Sequence, residues 1–455
     1  MKKHRLPSSP LGRIAMCALP ALFLGGAALH AQAWDSPSDG DFGTAANWSP
    51  ASVPVSGDTA FFDLGSSGYT VTLGSDVSTG LEVDDDTLTL DLGGNTFTNE
   101  GTRWAGVDNA IDLTVTNGTL QSTQTNRLFR NSGASGTLTF TGSGTTWNTG
   151  TGGSVGGTAL VREGTGNVDI NNGATVNAQT GGGRFDLGSS SGSDGTLNID
   201  GTGSKWDGTG TASSTGERLR LTAVSGAEAT VNISNGGVLD HNGSIRTDGG
   251  DARATVTGTN SLLKTRSDLR ISNATTNSGE EFLVQDGGRI EVDNQGGTSA
   301  LMQDAGFAIE GAASTIEITG DHEFVRGDLR VLLSDAMAGN PALMTVGGDL
   351  VFTDNASGDN DLILELDSGF SASAGSVFDL IDFTGDRTGN GVFDNLADGD
   401  TITVDGFEFQ ADYGATTNDA FSLEVTAVPE PGHYAAAAGV LALLAVVGSR
   451  HRARS

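Results

Sequence analysis

Gly136-Thr137-Leu138-Thr139-Phe140-Thr141-Gly142-Ser143-Gly144-Thr145-Thr146-Trp147 recurs as Gly195-Thr196-Leu197-Asn198-Ile199-Asp200-Gly201-Thr202-Gly203-Ser204-Lys205-Trp206. A weaker third copy runs from Ala254 to Leu263, with Leu263 where tryptophan stood. A second motif interleaves: Leu113 to Gly118, Val168 to Gly173, Val231 to Gly236 and Phe282 to Gly287, each ending in Asn-Gly or Asp-Gly. Every unit offers two apolar residues at period two, which turns both to one face of a strand. The Asn-Gly and Asp-Gly pairs supply corners with φ > 0 at little steric cost. Strands this short do not stand alone as hairpins. Stacked coils bury the same faces as one continuous column.

A repeat of about 60 residues reads as about three coils of roughly 20. Asn-Gly also suits tight hairpins, so an antiparallel meander or β-sandwich is the competing fold. The repeat drifts in length while its strand motif stays fixed. Loops inserted at coil corners permit that drift, which favours the β-helix. The expected fold is all-β: a right-handed parallel β-helix with a C-terminal antiparallel β cap, flanked by a signal peptide and a C-terminal hydrophobic helix.

Composition agrees. The chain has 455 residues, 69 of them glycine, and a formal net charge of −32. Glycine shows no G-X-Y period, which excludes collagen. The acidic balance disfavours nucleic acid and anionic lipid surfaces. Lys2, Lys3, Arg5 and Arg13 precede an apolar run from Ile14 to Leu29. Ala31-Gln32-Ala33 follows, fitting a small-x-small cleavage pattern and placing the cut before Trp34. The only cysteine, Cys17, lies in this segment, so a processed chain has no disulfide and no thiolate.

At the other end, Val428-Pro429-Glu430-Pro431-Gly432 precedes an apolar run from Tyr434 to Val447 and a basic tail with Arg450, Arg452 and Arg454. That run is short for a free-standing membrane span, and the basic tail favours a cytoplasmic end. This order of elements closely resembles the PEP-CTERM sorting signal of Gram-negative bacteria. The resemblance covers only the stretch from Val428 to Ser455. It implies transient inner-membrane insertion through the C-terminal helix. It implies cleavage by an exosortase-type enzyme near the Pro-Glu-Pro motif, and association with exopolysaccharide and biofilm. Removing both ends leaves 17 basic against 56 acidic residues, a net charge of −39.

The chain divides into a signal peptide (1–33), an N-terminal β cap with first coils (34–100), a β-helical repeat region (101–320), a C-terminal β region (321–427) and the sorting signal (428–455). The repeats resemble the T-L-x-I-x-G-x-G-S-x-W units of autotransporter passenger domains. That resemblance implies a surface-exposed fibre-like fold and brings no catalytic residue with it. Residues 321–427, with the apolar runs Leu329–Leu333, Leu362–Leu366 and Phe378–Phe383, are read as antiparallel strands over the solenoid end. The order of runs from Phe378 to Val425 resembles the β-region that often precedes a PEP-CTERM signal.

Little in the sequence points to a reaction. His241 and His322 sit in no catalytic motif and are expected at the surface. No H-E-x-x-H or phosphate-cradling loop occurs. Paired carboxylates across a groove would suit a glycosidase, but spacing alone does not place them. No cofactor is implied. Asp84-Asp85-Asp86, Asp354 to Asp361 and Asp394 to Asp400 are candidates for weak calcium binding only. The expected function is therefore a non-enzymatic structural protein of the cell surface or exopolysaccharide matrix, sorted through Val428 to Gly432. One alternative is a carbohydrate-binding adhesin with Trp147 and Trp206 as sugar-stacking residues. The other is a polysaccharide lyase or glycosidase on the same scaffold.

Overall fold

The computed structural model describes residues 31–429 apart from short internal segments: 66, 103, 107–108, 125, 150–157, 179–183, 210–217, 273–280, 294–299, 354–359 and 415–416. The signal-peptide body and the C-terminal hydrophobic segment lie outside the described residues.

The fold is a parallel β-helix. Along one face, 13 strands from Gly40–Asp41 to Leu362–Leu366 stack in parallel. The other two faces are joined through the long strands Val77–Val83 and Val377–Gly389, so they form one 26-stranded sheet. Call the 13-stranded face the first. The second face runs through Thr146–Asn148, Thr175–Asn177 and Lys205–Gly208. The third runs through Thr158–Val161, Arg184–Gly188 and Arg218–Thr222.

Period-two alternation decides which side chains fill the interior. On the first face, Leu138 and Phe140 align with Val168 and Ile170, and these with Leu197 and Ile199. All six are fully buried. The same two columns continue down to Leu362 and Leu364. Because parallel ladders keep like over like, each coil covers its neighbour's apolar pair, and no coil is stable without the next.

The register corrects the expected coil length. Trp147 aligns with Val176 and Val176 with Trp206, so the interval between the two tryptophans spans two coils, not three. The two interleaved motifs are one first-face strand seen in alternate coils. Coil length varies widely, from the short step between Val71 and Leu90 to the long one between Ile199 and Ile233. Much of the drift falls between the second and third faces. Gly208 and Arg218 bound a long connection there, His241 and Ser244 a short one.

Alternate coils differ because their corners interlock. One coil turns through a left-handed Asn or Asp followed by glycine: Asn172 (φ 53°) and Gly173 (φ 85°), or Asn235 (φ 52°) and Gly236 (φ 85°). The next coil turns through Gly-x-x-Ser. The Ser204 hydroxyl accepts from Gly173 N at 3.0 Å and donates to the Asp200 carbonyl at 2.6 Å. Ser261 accepts from Gly236 N at 3.0 Å and Ser314 from Gly287 N at 3.2 Å. Thr145 plays the same part for Asn117 N at 2.8 Å. A two-coil sequence repeat is the consequence.

Both ends are closed by aromatic clusters. At the start, Trp34 pairs antiparallel with Trp48, their rings 5.1 Å apart, and Phe42 lies 4.8 Å from Trp48. At the finish, Val377–Gly389, Thr417–Ala427, Phe407–Asp412 and Thr401–Val404 pair antiparallel in that order. This cap is shorter than expected. The strands Leu329–Leu333 and Leu362–Leu366 are still parallel coils, with the same inward alternation as those before them.

The Ser204→Ala variant leaves the Gly173 N–H without its acceptor and is expected to cost about 1–3 kcal/mol. Chemical denaturation reads this. A loss no larger than that of an exposed serine such as Ser52 would contradict the corner role.

Candidate functional site

The sequence-derived candidates divide sharply. Trp147 and Trp206 are fully buried on the second face, in one inward column with Leu120, Val176 and Leu239. Trp147 stacks on Phe140 at 5.0 Å and donates to the Ser122 hydroxyl at 3.1 Å. Trp206 packs edge-on to Phe185 at 5.1 Å. The sugar-stacking expectation is therefore corrected: neither ring has a solvent face for a pyranose. Their role is to fill a wide interior between coils. Leu263, the tryptophan substitute, continues the column two coils further on.

His241 and His322 are likewise interior, not at the surface. Each shares parity with a buried neighbour, Leu239 and Phe324, and so points inward. Burial holds the His241 imidazole down at about 4. Burial does the same to His322, at about 3, partly offset by a 3.2 Å contact of its Nδ1 with the Ala300 carbonyl. Neither can serve a substrate in solvent.

The acidic clusters bind backbone. Asp84 accepts from Asn109 N at 2.9 Å, and Asp86 from Leu64 N at 3.1 Å and the Tyr69 hydroxyl at 2.7 Å. Asp394 accepts from Asn360 N at 2.7 Å, and Asp398 from Tyr413 N at 3.1 Å. Among the described residues, no three His, Cys, Asp or Glu side chains converge as metal ligands. Residues 354–359 lie outside that statement.

Ala31 and Ala33 belong to a strand, Ala31–Trp34, whose residues 31–33 pair in parallel with Thr59, Ala60 and Phe61. Val428 and Pro429 follow directly on the last strand and line an open cavity of about 460 Å³ with Phe370, Ser371, Ala372 and Phe407. Glu430, Pro431, Gly432 and the tail arginines Arg450, Arg452 and Arg454 lie outside the described residues. Among the described residues, no helix is long and apolar enough to cross a membrane.

A site that the sequence reading missed stands on the third face. Arg127, Arg162, Arg184 and Arg220 line a cavity of about 370 Å³ against one carboxylate, Asp186. Ala159, Ala223 and Val224 supply its apolar wall. Four consecutive coils provide it: Arg127 bridges to Ala159, Ala159 aligns with Asp186, and Asp186 with Arg220. Alternation turns Arg184 and Asp186 away from the inward Phe185 and Leu187; Arg184 is exposed, while Asp186 is buried. Asp186 is occupied: Arg220 Nε and Nη2 hold its two oxygens at 2.7 and 2.8 Å. Arg220 also reaches Asp248 at 3.1 Å. Arg184 approaches Asp186 only to 3.4 Å, and Arg162 approaches Glu163 only to 3.6 Å. Arg127 and Arg184 are exposed. The cavity thus presents unsaturated guanidinium donors, the geometry that receives carboxylates.

No family model, curated protein or solved structure matches the chain.

A histidine whose folded value is depressed contributes fully above its unfolded value, about 6.5, and loses that contribution as pH falls toward the folded value. Relative to wild type, His241→Leu is therefore expected to gain about 2–3 kcal/mol between pH 7 and 4.5. Thermal unfolding of both proteins across that range checks it, and a constant difference would contradict the burial.

Proposed function

We propose that the chain is an exported, non-enzymatic structural protein of the cell surface or exopolysaccharide matrix, sorted and processed through Val428 to Gly432. The observation that carries this reading is the position of the motif. The last strand of the antiparallel cap ends at Ala427, directly before the sorting motif. A peptidase acting beyond that point would release a finished solenoid. The closed ends support the same reading, since capped coils leave no open edge for runaway stacking. A body of net charge −39 would be soluble and self-repelling once both targeting segments are gone.

The adhesin reading loses its tryptophan ladder, because both rings are interior. The enzyme reading has no described histidine in contact with solvent. Of the acidic clusters, Asp84, Asp86, Asp394 and Asp398 bind backbone amides or neighbouring side chains.

Mass spectrometry of the native released protein tests the proposal. A C-terminus near Pro431 is expected, and the same preparation should begin at Trp34, lacking Met1 to Ala33. Released protein that still ends at Ser455 would refute processing.

A further inference from the structure

The cavity on the third face belongs to a longer feature. Beyond Arg220 the same ladder position is held by Arg246 and then Arg270. Beside it, Arg184 aligns directly with Arg218. Six consecutive coils therefore each place an arginine on one face, over about 24 Å at the spacing of neighbouring strands. The partial counter-charges are Glu163, Asp186, Asp248 and Asp268, each engaged by these same arginines. Like charges on adjacent strands oppose folding. A chain with 56 acidic residues against 24 basic ones has nonetheless concentrated arginine here.

A strip of guanidinium groups repeating at each coil fits a linear polyanion whose charges repeat at a similar interval. A pyranose ring with its glycosidic link advances a polysaccharide by roughly one strand spacing. Ala159, Ala223 and Val224 offer apolar contact to the C–H faces of such rings. Nucleic acid would need stacking platforms for its bases. The large hydrophobic side chains exposed among the described residues are all Val or Ile.

We propose that the arginine strip binds a linear carboxylated polysaccharide, with Arg127, Arg162 and Arg184 as the carboxylate-receiving side chains and Arg220 as the group that holds Asp186 in place. This deepens, and rests on, the matrix reading above. A binding measurement on purified protein is independent of processing, so failure here leaves the sorting test standing, and the reverse.

The experiment measures binding of a polyuronate to the purified full chain by isothermal titration, beside two charge-matched double variants. R127Q/R184Q removes two exposed arginines of the strip. R253Q/R289Q removes two from the first and second faces. R127Q/R184Q is expected to weaken polyuronate binding by at least about tenfold, and R253Q/R289Q to leave it within about twofold. Unchanged circular dichroism and melting temperature in both variants show that folding is intact. The proposal is overturned if wild type does not bind, or if both pairs lose equally. It is also overturned if the methyl-esterified polymer binds as well, or if single-stranded DNA of matched charge does. Light scattering that detects self-association abolished by R127Q/R184Q would assign the strip to a second copy of the chain instead.

Discussion

The structure depends on one hydrogen-bonded relay at the coil corner. Gly173 N donates to the Ser204 hydroxyl, which donates to the Asp200 carbonyl. A left-handed Asn-Gly turn leaves a backbone N–H pointing along the solenoid axis, and burial forbids leaving it unmet. The hydroxyl of the following coil meets it. Because the relay needs two different corners, coils alternate from Asn117 to Ser314, and the register of that stretch is tied to the alternation. The apolar columns then fill a space whose dimensions the corners have already set.

This interlock also explains what was legible in the sequence. The pair Leu138 and Phe140 announced a half-buried strand, and its recurrence at Leu197 and Ile199 announced a stack. Asn-Gly and Gly-x-x-Ser looked like two motifs because they are two corners, so the count of coils per repeat was wrong while the β-helix was right. The Trp column was visible as a repeat but not as interior, since a tryptophan after a Gly-rich turn reads as a corner residue. His241 and His322 did carry a signal: each stands two residues from an inward Leu239 or Phe324. The sequence motif contained no catalytic partner, and that directed attention to the surface instead.

The arginine strip illustrates the opposite difficulty. The members within strands alternate with apolar residues, as in Arg218-Leu219-Arg220-Leu221, so their outward direction was readable. Their neighbours were not. The connections between the second and third faces vary in length, and Arg184, Arg220, Arg246 and Arg270 recur at no constant interval. Only the ladder brings them side by side. A fixed-strand, variable-corner solenoid thus conceals its surface chemistry from the sequence while displaying its core.

The register is the central claim, and one distance tests it. Thr89 and Thr255 occupy one outward column of the first face, six coil steps apart through Thr114, Thr139, Asp169, Asn198 and Asn232. Spin labels at Thr89→Cys and Thr255→Cys, in a chain carrying Cys17→Ser, should give a double electron–electron resonance distance centred near 29 Å, about six strand spacings. A distance near 38 Å, the about eight spacings that coils of roughly 20 residues would require, would contradict the two-coil repeat.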